Sequence, residues 1–282
     1  MDIRILGPLS LKDAVDKVAI APKPRVVLAV LASMANSAVA TSALVRELWA
    51  EEPPQSATAT VQTYVSQLRR SLAEALGDRA AAGAAELIVG EGGGYRLSTR
   101  WLRIDLAEYR RLDRLGTEAV ESGDFTAGAD LLHEALALWT GAPFANVEAG
   151  PLIQSQILQL EERRLHTTER RITADLCLGR HQRLVGELRH LVTQHPLHET
   201  LHGHLMFALY RCGRRAEALA ALRTLRERLV EELGLEPTPR LLRLQQAILT
   251  ADPALDSPSP DWFGLTGVPD RAGLRRAAVG EG

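Results

Sequence analysis

Thr63, Ser66 and Arg70 fall with Ala59 on one stripe of a helical pattern that runs from Ser56 to Leu76, flanked by Gln62, Gln67 and Arg69. At about 100° per residue, Val61, Val65, Leu68 and Leu72 form the opposite stripe, with Leu76 near its edge. Tyr64 sits at the margin of the apolar stripe, where packing is expected. The chemistry open to such a strip is hydrogen bonding rather than bond cleavage. Hydroxyls and amides meet base edges in a major groove, and arginine reaches guanine or phosphate. The solvated face of any amphipathic helix has the same composition, so the helix by itself leaves both readings open.

The neighbouring elements narrow the choice. Downstream, ELIVGEGGGYRLS is two short apolar runs around Gly92, Gly93 and Gly94, the signature of a β-hairpin. Strand alternation turns Tyr95 and Leu97 inward and Arg96 outward, towards a minor groove or its phosphates, unless it is only a solvated hairpin arginine. Upstream, Pro24 opens a helix bearing Val27, Val30, Leu31 and Met34. A turn over residues 35–38 and an extended piece at Val39 lead to Thr41 or Ser42 as N-cap of a second helix with Leu44, Val45, Leu48 and Trp49. Glu51, Glu52, Pro53 and Pro54 break the chain before the long helix, for which Ser56 is the candidate cap. Two apolar patches, residues 3–6 and 15–20, precede all of this. Strands, three helices and a terminal hairpin in that order are the parts of a winged helix-turn-helix.

Several stretches together resemble the Streptomyces antibiotic regulatory protein family, whose DNA-binding domain is similar to that of OmpR-type response regulators. They are MDIRILGPLSL, the Pro-x-Arg start of the first helix, ELWAEEPPQSATATVQTYVSQLRRSL and GGGYRL. Further on, WLRIDLAEYRRL, EALALWTGAPF, ADLCLGRH, HPLHETLHGHLMFALYRCGRRAEALAAL and EELGLEPTPRL look like the bacterial transcriptional activator domain that follows it. The resemblance spans residues 1 to about 252. It implies a mainly α fold with a small β component: an OmpR-like winged helix-turn-helix over residues 1–100, then an all-α, tetratricopeptide-like domain over 101–252. Residues 253–282, rich in Pro, Gly, Ser and Ala, read as a tail, with Trp262-Phe263 its one unusual feature.

The implied function is sequence-specific DNA binding and transcriptional activation, for a secondary-metabolite gene cluster. Candidate DNA contacts are Arg25, Gln62, Thr63, Ser66, Gln67, Arg69, Arg70, Gly93 and Arg96. The resemblance further implies direct repeats near a −35 element, two copies of the chain on DNA, and contacts from Glu51, Glu52, Pro53 and Pro54 to RNA polymerase and its sigma factor. A different class of function, a helical-repeat adaptor whose winged helix meets only protein, stays open beside it.

Charge is the thinnest support for DNA binding. The chain carries 33 Lys and Arg against 35 Asp and Glu, and residues 1–100 carry 11 against 10. That excludes a nonspecific DNA coater and demands a local basic patch, for which Lys23, Arg25, Arg69, Arg70, Arg96 and Arg100 are the candidates, with Glu51, Glu52 and Asp78 turned away.

In the second half, Gly179-Arg180 and Gly213-Arg214 each start a helical pair at the 34-residue period of a tetratricopeptide repeat, and Gly123-Asp124 looks like an earlier start. Cys177 and Cys212 are too few and too far apart for a disulfide framework. No signal peptide or membrane-length apolar run is evident, so a cytoplasmic protein is expected. His195, His198, His202 and His204 cluster, but with only Glu199 nearby they read as a helix-surface group rather than a metal site. Gly92 to Gly94 lack the Lys-Ser/Thr of a phosphate loop. No enzyme activity, cofactor or metal is expected.

Overall fold

The computed structural model describes residues 1–12, 17–76, 87–256 and Trp262. Asp78, Phe263 and part of the 15–20 patch lie outside them.

Short alternating strands open the chain. β1 (Asp2–Arg4) pairs antiparallel with β2 (Ser10–Lys12), setting Ile3 opposite Leu11, and β3 (Lys17–Val18) continues on β2. Ile3 and Leu11 are the inward residues of their strands, each flanked by more exposed neighbours, which is the period of two that one buried face requires. The sheet is closed on the other side by β7 (Arg103–Ile104), parallel to β1 and brought there from the far end of the winged helix.

α1 (Pro22–Ser33) begins at a proline, whose missing N–H costs nothing in a first turn. From Val26 to Ser33 every residue is buried, so α1 is the central helix of this half. β4 (Val39–Ala40) follows, then α2 (Thr41–Trp49) and α3 (Ala57–Leu76), both packed on α1. β5 (Ile88–Glu91) and β6 (Gly94–Leu97) form the hairpin, and β6 also pairs with β4 to make a three-stranded sheet. Gly92 and Gly93, at φ 56° and 78°, make the two-residue turn that glycine permits and β-carbons resist. The expected cap at Thr41 or Ser42 is corrected. The capping residue is Ala40, with no side-chain cap, and the Thr41 hydroxyl instead donates to the Gly93 carbonyl at 2.8 Å.

The remaining helices are α4 (Asp105–Glu121), α5 (Phe125–Ala137), α6 (Pro151–Cys177), α7 (His181–Gln194), α8 (Glu199–Arg211), α9 (Arg215–Leu233) and α10 (Pro239–Thr250), with a 3-10 turn at Pro253–Asp256. The chain forms two compact units. One comprises Met1–Arg114 with His133–His166, and the other Leu115–Leu132 with Thr167 onward.

In the first unit, segments far apart in sequence are joined by polar groups. The Asp105 carboxylate accepts the N–H groups of Ile5 and Leu6, and burial pushes its pKa up from the ordinary value despite those bonds. Asn146 exchanges two hydrogen bonds with the Leu9 backbone. Glu47, at 5% exposure, accepts from the amides of Gly150, Leu152 and Ile153 at 2.8, 2.7 and 3.2 Å. These are the unsatisfied N–H groups of the first turn of α6.

The second unit has a large apolar core drawn from α6 to α10, with Leu255 of the 3-10 turn fully inside it and Trp262 packed against it, and a smaller cluster of Val120, Ala129, Leu132 and Ala174. Three helices end alike. Gly123, Gly179 and Gly213 have φ of 87°, 77° and 75°. The residue after each donates to a carbonyl five back: Asp124 to Ala119, Arg180 to Asp175, Arg214 to Leu209. The 34-residue spacing read in the sequence therefore marks one repeated backbone event.

The histidines correct the surface expectation: His202 and His204 are core residues of α8. His204, with no exposure, bonds Thr173 at 2.9 Å, and desolvation lowers its pKa to about 3. Glu169 lies 3.3 Å from His198, and burial raises its pKa to about 7. Among the described residues no group of three or more His, Cys, Asp or Glu is arranged to hold a metal ion.

Candidate nucleic-acid interface

α3 divides cleanly. Ala57, Val61, Val65, Leu68 and Leu72 are buried, while Gln62, Thr63, Ser66, Gln67 and Arg70 form one exposed strip. Thr63 donates its hydroxyl to the Ala59 carbonyl at 3.0 Å, and Ser66 donates to Gln62 at 2.9 Å. Each hydroxyl proton thus turns into its own helix, and the oxygen lone pairs are left to accept from outside. The side chains of Gln62, Gln67 and Arg70 make no hydrogen bond or ion pair with the described residues. A strip of two amides, two hydroxyls and a guanidinium offers hydrogen-bond donors and acceptors, with no activated nucleophile or general base among them.

Arg69 sits apart from that strip. Its Nε and Nη2 both donate to the Ile88 carbonyl, at 2.9 and 2.7 Å. It ties α3 to the first strand of the hairpin, so its place is beneath the wing rather than on the exposed face. Two more contacts seat the wing. Gly93 accepts from the Thr41 N–H and hydroxyl. At Gly94 a β-carbon would lie 2.1 Å from the Val39 carbonyl oxygen, so only glycine lets β6 approach β4 this closely. Asn36, at φ 64°, fixes the other end by bonding Leu97 and Thr99.

The six basic candidates have unequal standing. Lys23 pairs with Glu148 at 2.9 Å. Arg25 donates to the carbonyls of Ile20 and Asn146, at 2.7 and 3.2 Å, and so braces the first unit internally. Arg96 pairs through Nε with Glu91 at 2.8 Å, and Arg100 lies 5.6 Å over the Trp101 ring. Arg69 is held as described. Arg70 alone of the six points outward without a partner among the described residues. The loop of Glu51, Glu52, Pro53 and Pro54 is exposed throughout, following the turn at Ala50 that ends α2.

Reading by residue type missed the groups that position this face: Glu47, Thr41 and Glu91. Glu91 had a signal. It lies five residues before Arg96 across a two-residue turn, the spacing of a diagonal cross-strand pair. Glu47 had none, because its partners are more than 100 residues away.

The chain resembles known proteins in sequence and fold. The family model for the C-terminal domain of transcriptional regulatory proteins matches residues 16–97, and that for the bacterial transcriptional activator domain matches 104–249. Regulatory protein DnrI of Streptomyces peucetius is 41% identical over 262 residues, covering 93% of this chain and 96% of DnrI. Regulatory protein AfsR of Streptomyces coelicolor is 40% identical over 255 residues, 89% of this chain but 24% of the longer AfsR. The solved structure of Mycobacterium tuberculosis EmbR, in complex with a low affinity phosphopeptide, superposes with a TM-score of 0.84 at 30% identity, over 93% of this chain and 69% of that one. Among the described residues no helix is long and apolar enough to cross a membrane. Matched by an activator-domain model over half its length and by DnrI nearly end to end, the chain belongs to the Streptomyces antibiotic regulatory protein family, and it is a transcriptional regulator with an OmpR-type winged helix and a helical activator domain, not an enzyme.

Proposed function

We propose that this regulator binds promoter DNA sequence-specifically and activates transcription of a secondary-metabolite gene cluster. The observation that carries the reading is the exposed strip of Gln62, Thr63, Ser66, Gln67 and Arg70 beside a glycine-tipped wing, backed by a fully buried stripe on the same helix. α3 enters the major groove, and these side chains meet base edges and phosphates. The wing around Gly93 and Arg96 lies on the adjoining minor groove. Arg69 supports this face from within through the Ile88 carbonyl, and Arg25, held through the Ile20 and Asn146 carbonyls, remains a candidate phosphate contact. Two copies occupy direct repeats next to a −35 element. The exposed loop of Glu51, Glu52, Pro53 and Pro54, together with the helical domain, then holds RNA polymerase and its sigma factor.

DNase I footprinting across promoters near the protein's own gene, at two salt concentrations and beside Arg70→Ala, tests the reading. The expected result is protection of direct repeats that weakens with salt and disappears in the variant. A folded protein that protects no promoter would instead support an adaptor whose winged helix meets protein, a reading that the near-neutral charge of residues 1–100 favours.

A further inference from the structure

The wing carries an acid where a DNA-binding hairpin has most use for a base. Val89 pairs with Arg96 and Glu91 with Gly94, so Val89, Glu91 and Arg96 share one face of the hairpin. Ile88 and Leu97, of the opposite face, are fully buried. The shared face is therefore the outer one, and on it Glu91 holds Arg96 Nε at 2.8 Å, with side-chain exposures of 54% and 31%. The pair is next to the Gly92-Gly93 tip, so any duplex that meets the wing meets both charges together.

We propose that Glu91 is a specificity-determining residue that restrains Arg96 until a fitting minor groove displaces it; this rests on the DNA reading given above. At a distance the pair is close to neutral, and an arbitrary duplex gains little by approaching. A narrow minor groove concentrates negative potential and offers Arg96 several acceptors at once. Only there does exchanging a carboxylate for DNA become favourable, after which Glu91 is left to solvent. With Arg70 the sole outward arginine of the helix strip, the wing pair governs much of the charge this face shows to DNA. Glu91 thus lowers binding to all DNA, and lowers it most where the groove does not fit.

The test uses the full chain, fluorescence anisotropy, the footprinted promoter duplex and a scrambled duplex of equal length, between 50 and 200 mM salt. Glu91→Gln keeps the shape and removes the charge, and Glu91→Ala checks it should the amide form a new bond. The expected result is about threefold or greater tightening on scrambled DNA, a smaller gain on the promoter, and a salt slope steeper by about one. In an Arg96→Ala background the same substitution should gain less than about twofold, because its effect acts through that guanidinium. Unchanged affinities, or weaker promoter binding by Glu91→Gln with an unaltered melting temperature, would overturn the proposal, the latter showing that the pair orients Arg96 for DNA. Salt-dependent binding by neither duplex, with a folded wild-type chain, would remove the DNA reading itself and this inference with it.

Discussion

At the scale of single residues, identical side chains on this face have different tasks because of what lies within reach of them. Arg69 and Arg70 are adjacent, yet about 100° of helical rotation turns one into the Ile88 carbonyl and leaves the other in solvent. Arg69→Ala should therefore act on stability first. Losing two charged donors to one buried-side carbonyl is expected to cost about 1.5–3 kcal/mol, seen as a lower melting temperature without DNA. Arg69→Lys keeps the charge but supplies a point donor in place of a fork, so it should recover less than half of that loss. If Arg69→Ala melted like the wild type and only DNA affinity fell, its role would be phosphate contact instead. Arg70→Ala, by contrast, should leave the melting temperature unchanged and abolish the footprint.

At the scale of elements, helix ends decide how the first unit is joined. The first turn of α6 presents its amides to Glu47 of α2, and the positive end of the helix dipole adds to the attraction. Gly150 is required at the contact, since a β-carbon there would lie 2.3 Å from the Glu47 carbonyl oxygen. Glu47→Gln places an NH2 group against those amides and removes the charge, leaving one acceptor for three donors. Its urea midpoint should fall by the equivalent of about 2 kcal/mol or more, with Glu47→Ala falling at least as far. A Glu47→Gln chain that unfolds at the wild-type midpoint would show that water can replace the carboxylate. Glu51 lies four residues beyond Glu47, just past the end of α2, so loosening this cap should also be felt at Glu51 to Pro54.

At the scale of the whole molecule, pH should act on stability through the buried titratable groups of the second unit. In the second unit, desolvation lowers the pKa of His181, His202 and His204, the last to about 3. The stability they contribute is complete above about 6.5, their unfolded value, and is lost as pH falls from there towards their folded values. Glu169 has the opposite sign. Its folded pKa of about 7 exceeds the unfolded value of 4.5, so its contribution is complete below that value and is lost as pH rises through 7. The two effects oppose one another between pH 5.5 and 7.5, so the histidine effect is read with the carboxylate removed: Glu169→Gln should melt at lower temperature at pH 5.5 than at 7.5. His204→Gln should flatten that dependence, while Glu169→Gln should raise the melting temperature at pH 8 and not at pH 5. Circular dichroism melts across the series check both signs, and equal melting of Glu169→Gln at pH 5.5 and 7.5 would contradict the histidine account.

Much was legible in the sequence wherever the information is local. Helical periodicity separated the two faces of α3, three glycines located the hairpin turn, and Gly-Arg steps marked equivalent helix ends in the second unit. Each follows from backbone geometry that a few neighbouring residues determine. What tertiary structure alone decided is which polar group meets which. Thr41 was read as a cap and reaches the wing, Arg25 is held by the carbonyls of Ile20 and Asn146, and the histidines read as a surface cluster put His202 and His204 in the core. A charged or hydroxyl side chain satisfies itself with whatever acceptor or donor the fold brings within about 3 Å, and that neighbour is set by packing between segments a hundred residues apart rather than by periodicity along one of them.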